Sequence, residues 1–416
     1  MQLGEVANAE ASRWGKPLDG VRVLAAEQMQ ALPYATQLLG RLGAEVVKVE
    51  PLDGESGRAA QPAITDPEGR GVGATFLRNN FSKRSVAIDL KSDAGRELFL
   101  RLVPRFDVVA ENFKAGTMDR LGLGYDVVAA HHPAAIYVSV SGFGNSGSPY
   151  ADWPAYASIV ESMSGIYDYM RRPDERPRAN PVGALGDISS ALFAVVGVFA
   201  ALRHRDRTGL GQRVDIAMLD ATVAMTDIVT NFASMGIERM AGLSTVILDS
   251  FQAADGWFVM QLVREHQFER LAKVVGHPEW IDDPRFATRA GWTEHLEDVI
   301  RPGIEAWAAS RAKADAAREL TAAGVAAGPC LDAGEVLADP HLAARNMLVE
   351  MERVDGAGDP VIVPGNPVKL SRVAEGPETR VPWVGEHTDE VLRAELGLDD
   401  DELAKLAADG VIARSR

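Results

Sequence analysis

Strand-like and helix-like segments alternate through the first half of the chain. Between residues 20 and 50, VRVLA is β-rich, PYATQLLGRLGA has apolar residues at helical spacing, and EVVKVE is β-rich again. This order predicts a βαβ unit with parallel strands. The alternation continues through RSVAIDL, SDAGRELFLRLVPR, FDVVAENF, AAIYVSVSGFG and GQRVDIAMLD. The pattern therefore predicts an α/β domain with a mainly parallel sheet and Rossmann-like βαβ units.

The regular alternation of strand-like and helix-like segments ends near residue 227. One strand-like run, WFVMQL, is followed by amphipathic segments such as FERLAKVVG and ADAARELTAAG, which indicate a smaller α+β domain. Strand-like and helix-like runs return in PVIVPGNPVKLS and EVLRAELGLDDDELAKLAADGVI. We predict a large α/β domain over residues 1–226, a small domain over 227–330 and a C-terminal segment over 331–416.

Charge and composition narrow the possible partners. The chain has 43 Lys and Arg against 59 Asp and Glu, a formal charge of −16, which disfavours nucleic acid and anionic membranes. The longest uninterrupted apolar stretch, residues 191–202, falls short of the roughly 18 residues that suggest a membrane span. A single cysteine, Cys330, excludes an internal disulfide and is typical of a reducing cytoplasm. We expect a cytoplasmic protein with no nucleic-acid or membrane partner.

Motifs for the common cofactors are absent from the sequence. The turn after the first strand, AAEQMQALP, has no glycine, whereas a dinucleotide site needs several there. No P-loop, GxSxG nucleophile elbow or HExxH zinc motif occurs. We therefore predict neither a metal site nor a permanently bound cofactor.

Six motifs follow one another in a characteristic order. They begin with LDGVRVLAAEQMQALPYATQLLGRLGAEVVKVEP, NNFSKRSVAIDLKSDAGRELF and ENFKAGTMDRLGLGYD, and continue with SVSGFGNSG, GALGDISSALFAVVGVFAALRHRDRTGLGQRVDIAMLDA and the C-terminal GNPVKLS with GEHTDEVLRAELG. From about residue 18 to the end, the chain resembles the class III coenzyme A transferases, which include formyl-CoA transferase and carnitine CoA-transferase. The resemblance implies that an acyl-CoA and a free carboxylic acid are the substrates. It also implies a homodimer of two interlocked open rings, with the C-terminal segment joined to the large domain.

Asp187, in the Gly-Asp pair before a long apolar run, matches the nucleophile of that family. A carboxylate with an ordinary pKa of about 3.9 is ionised at neutral pH and can attack a thioester without a helper base. The alternative is a helix N-cap, although Ser190 stands where a capping box needs Glu or Gln. Gly186 would permit close approach of the thioester. Gly142 and Gly144 could offer oxyanion donors from a neighbouring loop.

The resemblance extends to residues that would hold the substrate. It implies that Gln30 lies near the acyl carbonyl, although Gln30 also reads as a polar residue at a helix start. Lys83 and Arg84 form the best basic pair for the CoA phosphates, a solvated turn being the alternative. The complete set of expected CoA contacts is Ala31, Lys83, Arg84, Asn112, Phe113, Arg120, Gly142, Phe143 and Gly144.

Two other functions remain open at this point. The related α-methylacyl-CoA racemases use a His and an Asp as bases, but this chain has Tyr156 and Ala157 where that His and the following acid would stand. A catalytically degenerate acyl-CoA-binding protein is the non-enzymatic alternative. MAGLSTV, with one glycine, does not match the glycine loop of oxalate-using members.

Two polar segments are candidates for meeting an acceptor carboxylate. One is residues 54–74, which are rich in Gly, Pro and Ala and predict a long surface loop. The other is MRRPDERPRAN, with four arginines: Arg171, Arg172, Arg176 and Arg178. An exposed polar insertion is the alternative for both segments.

Overall fold

The chain divides into two compact units. The structure, a computed structural model, describes residues 1–169, 175–179, 183–226, 228–236, 246–356 and 358–414. One unit comprises Met1–Ser234 with Pro340–Arg416, and the other comprises Met235–Asp339. The predicted boundaries after residues 226 and 330 lie eight and nine residues before these divisions.

Seven strands form the main sheet of the large unit. The strands of both units, over the described part of the chain, are β1 (Arg22–Ala26), β2 (Glu45–Glu50), β3 (Ala63–Thr65), β4 (Gly71–Gly73), β5 (Arg84–Ile88), β6 (Val108–Glu111), β7 (Ile136–Ser141), β8 (Arg213–Ala217), β9 (Ile247–Ala253), β10 (Gly256–Leu262), β11 (Ala326–Pro329), β12 (Leu348–Met351), β13 (Val361–Pro364) and β14 (Ile412–Ala413). The sheet order is β14-β5-β2-β1-β6-β7-β8. All pairs are parallel except β14 with β5, so the prediction of a mainly parallel sheet is confirmed.

Helices connect and cover the strands of the main sheet, whereas α10 to α14 belong to the small unit. The described α-helices are α1 (Ala31–Arg41), α2 (Ala74–Asn79), α3 (Asp93–Leu102), α4 (Thr117–Arg120), α5 (Tyr125–His131), α6 (Ala157–Met163), α7 (Ile166–Tyr169), α8 (Leu185–Thr208), α9 (Met218–Ala224), α10 (Glu265–Val274), α11 (Arg289–Glu294), α12 (Arg301–Ala308), α13 (Lys313–Ala322), α14 (Ala333–Leu337), α15 (Pro340–Ala344), α16 (Thr388–Leu396) and α17 (Asp400–Ala408). Ser92 caps α3, because its side chain accepts a hydrogen bond from the Gly95 N–H at 3.0 Å.

Both faces of the main sheet are buried. Val23 and Ala25 of β1 share a core with α1 and α8, whereas Leu24 and Ala26 share a second core with α3, α16 and α17. Successive side chains of a strand point to opposite faces, so a sheet covered on both sides needs continuous apolar runs. This is why VRVLA has no polar alternation.

The small unit combines helices with a three-stranded antiparallel sheet. The strand order is β11-β10-β9, and β10 pairs antiparallel with both neighbours. Its core contains Phe251, Phe258, Trp280 and Trp292. Strand β10 contains the predicted WFVMQL. The sequence does not reveal β9, because Asp249 interrupts the apolar series Ile247, Phe251 and Ala253 on its buried side.

Residues 54–74 are not the long surface loop that their composition predicts. They contain a short 3-10 helix at Ser56–Ala59 and the antiparallel pair of β3 and β4. Glu55 and Arg58 are buried, and Arg58 forms an ion pair with Glu50 at 2.7 Å. Charged residues inside the segment are satisfied by partners, which composition alone does not reveal.

By length and composition alone, helix α8 could cross a membrane. The uninterrupted apolar stretch within it is shorter than the helix, so counting that stretch does not reveal this property. A core helix of a soluble protein passes the same test. One face of α8 packs on the sheet through Ala191, Ala194 and Val198. The opposite face exposes four large apolar side chains: Leu192, Phe193, Val196 and Phe199.

Candidate active site

A cavity of about 530 Å³ lies at the carboxyl ends of four adjacent strands in the large unit. The loops after β1, β6, β7 and β8 supply much of its wall, together with the start of α8. Open α/β sheets commonly bind ligands at this edge. Its lining includes Gln28, Met29, Gln30, Ala31, Asn112, Phe113, Lys114, Ser141, Gly142, Phe143, Tyr156, Ala157, Ala184, Asp187 and Met218.

The cavity brings together seven of the twelve predicted site residues. These are Gln30, Ala31, Asn112, Phe113, Gly142, Phe143 and Asp187. Five others are not part of its wall: Lys83, Arg84, Arg120, Gly144 and Gly186. Six of the seven follow the ends of β1, β6 and β7, and they meet because these parallel strands end at the same edge of the sheet, whereas Asp187 comes from the first turn of α8.

The turn from Gln28 to Ala31 is held from two sides. Gln28 donates its N–H to Asn112 Oδ1, and Asn112 Nδ2 donates to the Gln28 carbonyl, both at 2.9 Å. Met29 has a φ of 60°, and its N–H donates to the Glu55 carboxylate at 3.0 Å. Gln30 is the N-cap residue of α1 but makes no side-chain capping bond. The side-chain amide of Gln30 is therefore not used to cap the helix.

Asp187 is the third residue of α8, not its cap. The helix begins at Leu185, and its N-cap residue, Ala184, makes no side-chain capping bond. The N-cap interpretation of Asp187 is therefore wrong, because the N-cap residue lies three positions earlier than that interpretation requires. Burial, with a smaller contribution from the Glu161 carboxylate, raises the pKa of Asp187 to about 6. At neutral pH the carboxylate is still mainly ionised, and it is more basic than an ordinary aspartate.

Gly186 contacts the neighbouring helix α6. A Cβ at this position would lie 2.8 Å from Val160 Cγ2 and 3.3 Å from Ala157 Cα. Its N–H donates to Glu161 Oε1 at 3.1 Å. The glycine therefore allows α8 to pack closely on α6, and it does not open space towards the cavity as we expected from the sequence.

Lys83 is buried within a cluster of charged side chains. Its Nζ donates to Glu27 Oε1 at 2.7 Å, to the Pro33 carbonyl and to Asn80 Oδ1. Burial lowers the pKa of Lys83 to about 8, although Glu27 opposes that change. Arg84 is partly exposed and pairs with Glu45 and Glu390. The structure thus places this basic pair among acidic partners and outside the cavity wall.

Replacing Lys83 with methionine is expected to lower the free energy of unfolding by about 3–5 kcal/mol, because it leaves Glu27 buried with only the more distant Lys48. Chemical denaturation measures this change. The neighbouring Arg84→Met serves as the control and is expected to cost about 1 kcal/mol or less, since its pairs are partly exposed. A fully stable Lys83→Met protein with weakened CoA binding would contradict the structural role.

Two other predicted residues lie near the cavity but outside its wall. Arg120 is exposed at the end of α4, where its Nη2 donates to Thr117 Oγ1 at 3.0 Å. Gly144 has a φ of 80°, a conformation that favours glycine. Lys114 is the one cation among the lining residues in the part of the chain that the structure describes. Sequence reasoning missed Lys114, although it directly follows Asn112 and Phe113.

The candidate segments for an acceptor carboxylate are only partly described. Arg171, Arg172 and most of MAGLSTV lie outside the described residues. Arg176 and Arg178 are exposed, and Arg178 pairs with Glu175 at 3.8 Å. Neither of these two arginines is part of the cavity wall.

Sequence comparisons identify one family for the chain. The profile described as CoA-transferase family III matches residues 18–388. Succinyl-CoA:mesaconate CoA-transferase of Haloarcula hispanica is 34% identical over 384 residues, which cover 90% of this chain and 95% of that protein. Succinyl-CoA–D-citramalate CoA-transferase of Chloroflexus aurantiacus is 36% identical over 408 residues, with coverage of 95% and 98%.

A solved structure agrees with the sequence comparisons. The crystal structure of a CAIB/BAIF family protein from Brucella suis matches with a TM-score of 0.80 and 34% identity, covering 92% of this chain and 99% of that one. The chain belongs to CoA-transferase family III. It is therefore an enzyme of the CoA-transferase class, and the family assignment from the ordered motifs is confirmed.

Proposed function

We propose that the protein moves CoA from an acyl-CoA to a free carboxylic acid through covalent intermediates on Asp187. The Asp187 carboxylate attacks the thioester carbonyl, which forms a mixed anhydride and releases CoA thiolate. The thiolate then attacks the aspartyl carbonyl, giving an aspartyl-CoA thioester and releasing the donor acid. The acceptor carboxylate repeats these steps in reverse. Dividing one difficult transfer into easier steps is covalent catalysis.

The observation that carries this proposal is the position of Asp187 on the cavity wall with a pKa raised to about 6. A rise of that size from 3.8 corresponds to about 3 kcal/mol. The positive end of a helix dipole acts in the opposite direction, by only about 0.3–1 kcal/mol. Burial and the Glu161 charge therefore dominate, and they favour a reactive anion over a strongly stabilised one.

Gln30 and Ala31 are our candidates for stabilising the oxyanion. Both line the same cavity as Asp187. Ala31 is the first residue of α1, where backbone N–H groups have no partner within the helix. The Gln30 amide can donate a second hydrogen bond. Donors placed at such an oxyanion are each worth about 3 kcal/mol in the transition state.

Lys114 and Arg120 are our candidates for contacting the CoA phosphates. Lys114 lines the cavity, and Arg120 is exposed on α4, which follows the same loop. Phe113, beside Lys114 on the wall, offers an apolar surface to the pantetheine chain. Local cations are needed because the protein as a whole has a charge of −16. Asn112 instead positions the turn that carries Gln30.

We propose that the protein is a cytoplasmic homodimer, with the interlocked rings that the family resemblance implies. The exposed apolar face of α8, formed by Leu192, Phe193, Val196 and Phe199, supports a protein partner. These residues recur at helical spacing, so they form one continuous surface. Covering them with a second copy of the chain would remove that surface from water.

A racemase is the alternative function, and the cavity argues against it. Tyr156 and Ala157 line the wall where the racemase branch has its His and the following acid. A tyrosine hydroxyl and an alanine methyl do not supply the His and acid bases of that reaction. A degenerate acyl-CoA-binding protein would not need the perturbed carboxylate at Asp187.

One assay separates these three functions. The protein is incubated with succinyl-CoA, which appears in the names of similar enzymes, and with mesaconate, citramalate, oxalate and aromatic acids in turn. Formation of a new acyl-CoA, followed by chromatography, is the expected result. Deuterium incorporation at an α-carbon without transfer would indicate a racemase. Binding without either reaction across a panel of acyl-CoA donors would indicate a degenerate protein.

A further inference from the structure

Glu161 is a buried carboxylate immediately behind the candidate nucleophile. It lies on α6, is 2% exposed and is not part of the cavity wall. Its Oε1 accepts the Gly186 N–H at 3.1 Å, and its Oε2 accepts the Tyr167 hydroxyl at 2.7 Å. No ion pair links Glu161 to a cation among the described residues. Burying such a group is costly, so a compensating role is to be expected.

The contact with Gly186 connects Glu161 to the reacting group. The first N–H groups of a helix have no partner within the helix. Since Ala184 provides no side-chain cap, Glu161 supplies an acceptor for the first turn of α8 from a different helix. Asp187 is the next residue, so the anchored turn is the one that carries the nucleophile.

We propose that Glu161 is a positioning residue that holds the first turn of α8 and whose negative charge keeps the Asp187 anion reactive. This inference rests on the proposed function of Asp187. Two effects follow from the one carboxylate. The hydrogen bond to Gly186 fixes where the Asp187 side chain begins. The charge opposes overstabilisation of the Asp187 anion by the positive end of the helix.

The electrostatic environment supports the second effect. Burial is the largest cause of the raised pKa of Asp187, and the charge of Glu161 raises it further. Helix α8 packs against α1, α6, α9, β7 and β8. Their other titratable or charged side chains are Tyr34, Arg41, Asp220, Tyr137, Arg213 and Asp215. Glu161 is the charged group that raises the pKa of Asp187, while Lys114 and Tyr156 face the same cavity.

The charge and the hydrogen bond can be separated by substitution. Glu161→Gln keeps an acceptor for the Gly186 N–H and removes the charge. We expect the acid limb of the pH profile of kcat/KM, near pH 6 in the unmodified protein, to move down by about one pH unit. At pH 8 the rate is expected to fall by roughly threefold, because a less basic anion is a weaker nucleophile, with the dependence known for thiolates. Tyr167→Phe, which keeps the Glu161 charge, is the matched control and is expected not to move the limb downward.

Glu161→Ala removes the charge and the anchor together. We expect a larger loss of kcat than in Glu161→Gln, with faster hydrogen–deuterium exchange in peptides that cover the start of α8. Thermal unfolding checks that each variant is folded. An acid limb in folded Glu161→Gln that matches the unmodified protein would overturn the inference. An equal downward move of the acid limb in Tyr167→Phe would also overturn it, because a change in packing and not the loss of charge would then explain the move.

Failure of this inference is distinguishable from failure of the proposed function. If Asp187→Asn is inactive and the Glu161→Gln profile does not shift, only the role of Glu161 is overturned. If Asp187→Asn retains full transfer activity, Asp187 is not the nucleophile and the proposed function itself is overturned.

Discussion

Replacing Asp187 with asparagine is expected to lower the rate of CoA transfer by about 10⁴- to 10⁶-fold, the scale of loss when a covalent nucleophile is removed. Asparagine preserves the size of the side chain but cannot form a mixed anhydride. The comparison uses steady-state transfer rates at pH 8, where the aspartate is ionised because burial raises its pKa only to about 6. Asp187→Ala provides a second variant that cannot revert by deamidation.

The same substitution is expected to stabilise the folded protein, which controls for loss of activity through misfolding. Asp187 has a folded-state pKa of about 6 against an ordinary value of 3.8. The folded protein therefore binds a proton that the unfolded chain releases between those values, so stability falls as pH rises from about 4 to about 6. At pH 8, the free energy of unfolding of Asp187→Asn should be about 1–3 kcal/mol higher than that of the unmodified protein. The gain should disappear below about pH 4. An active or destabilised Asp187→Asn protein would contradict the account.

Replacing Val196 with glutamate is expected to convert the proposed dimer into monomers. Val196 is 64% exposed at the centre of the apolar face of α8. Burial of each large side chain in that face is worth about 1.5–3 kcal/mol. A carboxylate placed among them would remain unpaired and would have to be desolvated. Size-exclusion chromatography with light scattering, at several concentrations, measures the change in mass.

Leu210 provides the matched control for that substitution. It is also an exposed apolar residue, at 57%, but it follows the end of α8 and does not belong to the apolar face. Leu210→Glu is expected to remain dimeric. Circular dichroism confirms that both variants are folded. A dimer that survives Val196→Glu, or a monomeric unmodified protein, would contradict a second copy on this surface.

Much of the fold could be predicted because its signals are local. The apolar run VRVLA and the helical PYATQLLGRLGA define β1 and α1, and the same alternation recurs through β8. Strand β14, at the other end of the chain, joins β5 antiparallel. A two-residue strand has too few positions to reveal a period, so this pairing has no sequence signal.

The charged residues show where local reasoning fails. Lys83 and Arg84 are neighbours in a polar tetrapeptide, which is typical of an exposed turn. Their surroundings differ because Glu27 and Asn80 enclose Lys83, whereas Arg84 meets Glu45 and Glu390 at the surface. Partners distant in sequence decide whether a charge is buried, and a single sequence does not reveal them.

The sequence proposes residues for the candidate site but does not reveal the residues that support them. The ordered motifs resemble those of a known family and drew attention to Asp187, Gln30 and Phe113. These residues line one cavity in the structure, and the roles that the resemblance implies for them stay predictions. The acidic residue behind Asp187, Glu161, was missed. It lies 26 positions earlier in the sequence, and only the packing of α6 on α8 brings it to the Gly186 N–H.

Detection of a covalent intermediate on Asp187 tests the central claim most directly. The protein is incubated with succinyl-CoA, quenched with hydroxylamine and digested with trypsin. The expected tryptic peptide, residues 179–203, contains Asp187 as its only carboxylate side chain. The account predicts an aspartyl hydroxamate on this peptide, absent without the acyl-CoA and absent in Asp187→Asn. An active enzyme that transfers CoA from succinyl-CoA while this peptide stays unmodified would contradict it.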